Sequence, residues 1–450
     1  MVWSPPLSGQ RERAPACRAR RPCTLRRLTA LTALLLTLSA AAVTGQSALA
    51  TADPGSPAHL LASPSAHTAS SATGPLAGRG MWIWYVNRTE GGSVSAIVAR
   101  ARAAGVQTVY VKSADGVNLW SQFNSALVGT LHRAGLHVCA WQYVYGTAPL
   151  GEASAAARAV RAGADCVIVD AEAEYEGRYS SAQVYLRALR ASAGPRYPLA
   201  LASFPYVDYH PSMPYSVFLG PGGAQYDMPQ MYWRDIATSV AGVFRHTYTL
   251  NRIYRRTIVP LGQTYAGASA AEVGQFRALA IRYQAPGISW WDFAWTSAAS
   301  LWDAVGGALP SVTAVAPLGY PSLGPGSAGD EVLWLQEHLA GGYRAQRLTG
   351  LFGAQTAGYL RALQARRHLP VTGATDASTW QALLRLRPAP VSWAASARTA
   401  GARRGSAHAT AARAAPASAG LRARRYEIPE LGAARPGARA RAGVAEPGGP

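Results

Sequence analysis

Asp165-Cys-Val-Ile-Val-Asp-Ala-Glu-Ala-Glu-Tyr-Glu176 begins as an apolar, β-branched run and turns abruptly acidic. Cys166 to Val169 predict a strand buried on both faces. Asp170, Glu172, Glu174 and Glu176 then occupy alternate positions. Alternate side chains of a strand share one face, so Asp170 and Glu172 are expected to point the same way. Two carboxylates side by side at the end of a buried strand repel each other, and one pKa rises. Acid–base chemistry on a glycosidic bond requires such an arrangement. The plain alternative is a solvated acidic loop, or two helix-capping carboxylates.

Outward from this stretch the chain has a rhythm. Strand-like runs begin near Gly80, Thr108, His137, Asp165, Pro198, Asp227, Thr257 and Gly287, at steps of 28, 29, 28, 33, 29, 30 and 30 residues. Helical patterns lie between them, such as Val94, Ile97, Val98 and Ala101 behind the N-cap candidate Ser93, closed by Gly105. Eight even strand–helix units over 79–309 predict an α/β fold, a (β/α)8 TIM barrel, with a doubly wound sheet as the alternative. Chemistry in such a barrel sits at the C-terminal ends of the strands. This chain places Trp84, Lys112, Trp141, Tyr232, Trp233, Trp291 and Asp292 at those ends. Rings around one acidic cluster describe a cleft for stacking on sugar faces; rings that merely fill the barrel top are the alternative. Lys112 is the only lysine beside 42 arginines, and it is expected to pair with Asp170 or Glu172 and hold one ionised.

The charge of +20 in 450 residues raises nucleic acid as a partner, but its placement argues against it. Residues 1–50 and 388–450 carry +13 of the charge, and the basic residues between them form no stripe. Residues 1–50 read as an export signal, with Arg26-Arg27, an apolar Leu28–Val43 core and small residues at Ala48-Leu49-Ala50. Residues 51–78 read as a linker, and no other stretch has the length to span a bilayer. Beyond the leader only Cys139 and Cys166 remain, too few for a zinc site. Two buried thiols are expected, with a single bridge as the alternative. After a Pro/Gly linker at 310–326, residues 327–386 show short amphipathic helices, a predicted all-α three-helix unit. Residues 387–450, rich in Ala, Arg, Gly and Pro, are expected to be a disordered tail.

Two resemblances sharpen this reading. Gly329-Asp330-x-Val332-x-x-Leu335-Gln336, Gly350-x-Phe352-Gly353-x-x-Thr356, Leu369-x-Val371-x-Gly373 and Thr379-Trp380-x-x-Leu383 resemble the peptidoglycan-binding domain attached to bacterial wall hydrolases. Thr349 stands where that family usually has an acid, and Leu363 where it has Phe. The resemblance implies binding to wall glycan or stem peptide. Asp170-Ala-Glu172 is similar to the Asp-x-Glu of family 25 lysozymes, in which the Glu is the acid. The Asp that those enzymes carry after their first strand is replaced here by Trp84 and Tyr85. Asp170-x-Glu172-x-Glu174-Tyr175 also resembles the Asp-x-Asp-x-Glu-Tyr of family 18 chitinase-like barrels. That register implies Glu174 as the acid and the substrate's acetamido group as nucleophile.

The expectation is a secreted, wall-associated monomer that binds peptidoglycan and hydrolyses β-1,4 links of an N-acetylated glycan, as a lysozyme does. Glu172 is the expected proton donor, Asp170 its partner and Glu174 a second candidate. Lys112, Trp84, Trp141, Tyr232, Trp233, Trp291 and Asp292 are the expected substrate-binding set. No metal, cofactor, nucleic acid or membrane partner is expected once the leader is removed. A wall-binding scaffold without catalysis is the alternative. An amidase or peptidase is a third reading, disfavoured by nine scattered histidines with no paired spacing.

Overall fold

The computed structural model of the protein describes residues 74–308 and 318–393. The expected leader, nearly all of the first linker, residue 309 at the end of the expected barrel, residues 310–317 of the second linker and the tail beyond 393 lie outside the described residues.

The first strands are β1 (Gly78–Ile83), β2 (Thr108–Asp115), β3 (Asn118–Leu119), β4 (His137–Val144) and β5 (Cys166–Ala171). They are followed by β6 (Leu199–Ser203), β7 (Tyr226–Pro229), β8 (Thr257–Ile258), β9 (Leu261–Gln263) and β10 (Gly287–Trp291). All pairs are parallel except the β2–β3 arm, and the order along the sheet is β8-β7-β6-β5-β4-β2-β1-β10-β9. The expected closed barrel of eight strands is therefore corrected: the sheet is curled but its nine-strand path is open. The cause lies in the seventh expected strand. Pro260 has no N–H to give to a ladder. It splits that strand into β8, which pairs with β7, and β9, which pairs with β10. Between the two ends of the path stands one isolated parallel bridge, Gln230 to Leu261.

Helices α1 (Val94–Ala103), α2 (Ser125–Arg133), α3 (Pro149–Arg161) and α4 (Tyr179–Ala193) follow β1, β3, β4 and β5. Next come α5 (Tyr215–Phe218), α6 (Val240–Leu250), α7 (Ala270–Arg282) and α8 (Ala299–Gly306). Ser93 caps α1 as its sequence suggests, accepting from the Ala96 N–H, and Gly105 leaves it at a φ of 61°. Val109, Val111, Val138, Val167, Val169 and Leu201 form one buried cluster with the apolar faces of these helices. The intervening residues build a second core on the other face, from Trp82, Tyr110, Trp141, Cys166, Ile168 and Met228. The alternation of side chains along each strand makes both cores from one sheet.

Cys139 and Cys166 are register partners across β4 and β5, and a disulfide joins them. The expectation of two free thiols is corrected, because neighbouring in-register strands bring the Cα atoms to 4.6 Å. The bond closes a loop with a sequence separation of 27. Cys139→Ser is expected to lower the unfolding free energy by about 3 kcal/mol. Urea titration checks this: reductant should bring wild type down to the variant and leave the variant unchanged.

Three helices follow: α9 (Asp330–Gly342), α10 (Ala354–Arg366) and α11 (Ala377–Leu383). Two glutamines organise the turns between them. Gln336 accepts from the N–H groups of Thr349 and Gly350 and donates to the Leu351 carbonyl and Thr356. Gln364 does the same for the next turn, through Gly373, Ala374 and Thr379. Helix α9 is buried from Val332 to Leu339. It packs on α5, and the Trp334 indole donates to the Ile253 carbonyl at 2.7 Å.

Candidate active site

Strand β5 carries Cys166, Ile168 and then Asp170 on the ring-lined face. Asp170 is 6% exposed. The strand ends at Ala171, but Glu172 keeps the same direction. Gln230, just past β7, donates its Nε2 to Asp170 Oδ1 at 3.0 Å and to Glu172 Oε1 at 2.9 Å. The two carboxyl groups also hydrogen-bond to each other. Burial pushes Asp170 well above the usual carboxylate range, and the Glu172 charge adds to it, while Lys112 opposes. Burial raises Glu172 as well, against the Gln230 amide. Both shifts favour keeping a proton on the pair, as burial of two carboxyls in contact does.

The acidic alternation does not continue, because Ala173–Tyr175 form a 3-10 turn. Glu174 is half-buried on that turn and accepts from the Tyr143 hydroxyl at 2.6 Å. Glu176 turns away and accepts from Ser212 at 2.8 Å, with the His210 ring 2.9 Å from its other oxygen.

Lys112 is 1% exposed, and its direct partner is Asp115, at 2.7 Å, rather than Asp170 or Glu172. The expected pairing is corrected in that respect. Indoles of Trp141, Trp120 and Trp84 stand 4.5, 4.8 and 5.2 Å from its ammonium, a cation–π cage. The Tyr145 hydroxyl holds the other Asp115 oxygen at 2.6 Å. Lys112→Met is expected to cost about 2 kcal/mol through the lost charged hydrogen bond. It also removes the field that lowers Asp170. The alkaline limb of any pH–rate profile, where the pair loses its proton, should then move to higher pH; an unmoved limb would disconnect Lys112 from the pair.

The expected stacking rings divide by depth. Trp291 is half-buried, 5.6 Å from Trp84 and 5.3 Å from Trp141. Trp84 and Trp141 are 7% and 2% exposed and form the floor. Tyr232 is half-buried, and its hydroxyl is raised by burial and then by Tyr265, Asp170 and Glu172, which places it beside the acid pair. Two expectations are corrected. Trp233 is wholly buried on the helix side, against Phe276, because the backbone turns after β7 and sends adjacent rings to opposite faces. Asp292 is 1% exposed and accepts from backbone N–H groups of Trp84, Ala294 and Trp295, so it shapes its loop instead of meeting a sugar. Burial raises it to about 7. Gln230, Tyr143 and Asp115 stand at strand ends in the sequence but carry no expected role there, and Trp120 escapes the reading altogether. Gln230 is an amide at a strand end, where only charges and rings attract notice; Trp120 follows the short β3 arm, which breaks the strand–helix rhythm. Among the described residues, no group of three or more His, Cys, Asp or Glu is arranged to hold a metal ion, and no helix is long and apolar enough to cross a membrane.

Residues 328–383 match a sequence family described as a peptidoglycan binding domain. No curated protein matches the chain. Among solved structures, an endo-β-1,4-mannanase from Thermotoga petrophila aligns at 9% identity over 48% of this chain and 68% of its own, with a TM-score of 0.36. A class V chitinase from Pseudomonas fluorescens Pf-5 aligns at 12% identity over 51% of this chain and 98% of its own, with a TM-score of 0.38. The catalytic domain of endolysin ply40 from bacteriophage P40 of Listeria monocytogenes aligns at 14% identity and a TM-score of 0.24. That alignment spans 29% of this chain and 66% of the endolysin domain.

Proposed function

We propose that the protein is a wall-associated glycoside hydrolase that cuts β-1,4 links of an N-acetylated glycan, with peptidoglycan the favoured substrate. Glu172 is its proton donor and Asp170 the partner that shares the proton. The observation that carries this reading is the Asp170–Glu172 pair, bridged by Gln230 and raised by burial, on a face lined with indoles. The family match at 328–383 supports a wall glycan as the polymer met first. The disulfide supports an oxidising location outside the cytosol.

Both carboxyl groups lie within 3.0 Å of one nitrogen. Inverting enzymes need about 6.5–9.5 Å between carboxyls to admit a water, and retaining enzymes about 5 Å for direct attack. Asp170 and Glu172 thus act as one acid unit, and the substrate's own acetamido oxygen is the nucleophile that fits. The test is release of reducing ends from purified, N-acetylated cell walls. Release shows hydrolysis; its absence beside intact wall binding would favour the scaffold reading. That second reading draws on Trp84 and Tyr85, which stand where family 25 lysozymes carry an Asp.

A further inference from the structure

The wall-binding helices are tied to the loop that carries the acids. Asp330, the first residue of α9, is 1% exposed and reaches three separate segments around the curled sheet. Its carboxylate accepts from the Ser216 N–H and hydroxyl, both at 2.8 Å, and from the Tyr254 hydroxyl at 2.8 Å. It also accepts from the hydroxyl of Tyr179. Tyr179 opens α4, directly behind the loop from Glu172 to Arg178. The Asp330 N–H donates to the Pro211 carbonyl at 2.7 Å. Gly329 lies so close to Pro211 that a Cβ would stand 2.5 Å from the proline Cβ, and its φ of 116° also demands glycine. The next residue in that segment, Ser212, holds the far end of the acidic loop: its carbonyl accepts from the Gly177 N–H at 2.7 Å and its hydroxyl donates to Glu176. His210 completes the segment, stacked 3.4 Å on Phe204 after β6.

Both anchors of the acidic loop, Tyr179 behind it and Ser212 beside it, thus converge on the start of α9. We propose that Asp330 is a positioning residue for Glu172 and Glu174, so that the wall-binding helices set the geometry of hydrolysis as well as adhesion to the wall. This rests on Glu172 being the proton donor. The physical reason is the cost of an alternative: without the carboxylate, the Ser216 N–H and two phenolic hydroxyls are left buried without their acceptor, and the loop's back anchor is free to shift. A catalytic group displaced by about 1 Å loses on the order of 100-fold in rate.

The experiment uses the full chain and a soluble, chromogenic N-acetylglucosamine tetramer, read together with hydrogen exchange of residues 172–178. Asp330→Asn and Tyr179→Phe are expected to lower kcat at least about 10-fold with KM within about twofold. The amides of 172–178 should exchange faster in both. Trp334→Phe, which loses the bond to Ile253 and part of the ring contact with Tyr254 and His338 but leaves the Asp330 hydrogen bonds their donors, should keep kcat and loop exchange while lowering Tm. Should Asp330→Asn fail to fold, Tyr179→Phe carries the test, since it severs the loop anchor and leaves Ser216 and Tyr254 in place. Unchanged kcat and unchanged loop exchange in Tyr179→Phe overturn the proposal. If wild type cleaves no glycan at all, the functional reading fails, and loop exchange alone decides whether Asp330 positions the loop.

Discussion

Glu172→Gln is expected to lose between about 100-fold and 10,000-fold of the hydrolytic rate while still binding glycan, the range that a general acid contributes. The amide keeps the shape of the side chain and its place beside Gln230. What it removes is the proton. In wild type the proton is held because burial raises both Glu172 and Asp170, and because two carboxyls in contact cannot both ionise. With Gln at 172, Asp170 loses its charged neighbour and its pKa falls, and the carboxyl that donates to the leaving oxygen is gone. Glu174 does not replace it, since it sits on the next turn against Tyr143. Clearing of wall suspensions measures the loss directly. Equal clearing by variant and wild type would remove Glu172 as the acid and turn attention to Glu174.

Raising the pH from 6.5 to 9 is expected to destabilise the packing of α9 by a few kcal/mol, because a tenfold change in a group's proton affinity on folding corresponds to about 1.4 kcal/mol. Two carboxyls, Asp330 and Glu337, are buried along that helix, and Glu331 is half-buried. Burial raises Asp330 to about 6, against its bonds to Ser216 and Tyr254. Burial, then Asp208 and Asp330, raises Glu331 to about 8; burial, then Asp330, raises Glu337 to about 9. Each folded pKa lies above the unfolded value, so the folded chain keeps protons that the unfolded chain releases. The stability from each group is complete below about pH 4 and is lost as the pH climbs through its folded value. His338 works in the opposite sense: burial lowers it to about 4, so its part is lost as the pH falls from 6.5. Above pH 6.5 the carboxyls act alone. Tm should therefore fall across that window, and the double variant Glu331→Gln, Glu337→Gln should flatten the fall. A Tm that holds steady or rises from pH 6.5 to 9 in wild type would refute this.

The strand–helix rhythm was legible because each strand needs apolar residues on both faces and each helix a stripe of its own. The shared direction of Asp170 and Glu172 followed from the same alternation. Two kinds of feature were hidden. Closure of the sheet depends on hydrogen bonds between strands far apart in sequence, and a single proline was enough to interrupt it at residue 260. Partners such as Gln230 and Asp115 are ordinary polar residues whose role exists only once the chain has curled. Trp233 shows the limit most plainly, because no pattern in Gln230-Met-Tyr-Trp233 tells which ring faces the carboxyls and which faces the helices.

The break at Pro260 has one more consequence. Gln230 bridges that gap to Leu261, where the N–H of the following Met231 donates to the Leu261 carbonyl at 2.7 Å, and the Gln230 side chain holds both acids. Any widening of the seam therefore drags the amide away from the carboxyls and changes which of them keeps the hydrogen. The seam in the wall of the cup and the acidity inside it meet at one glutamine.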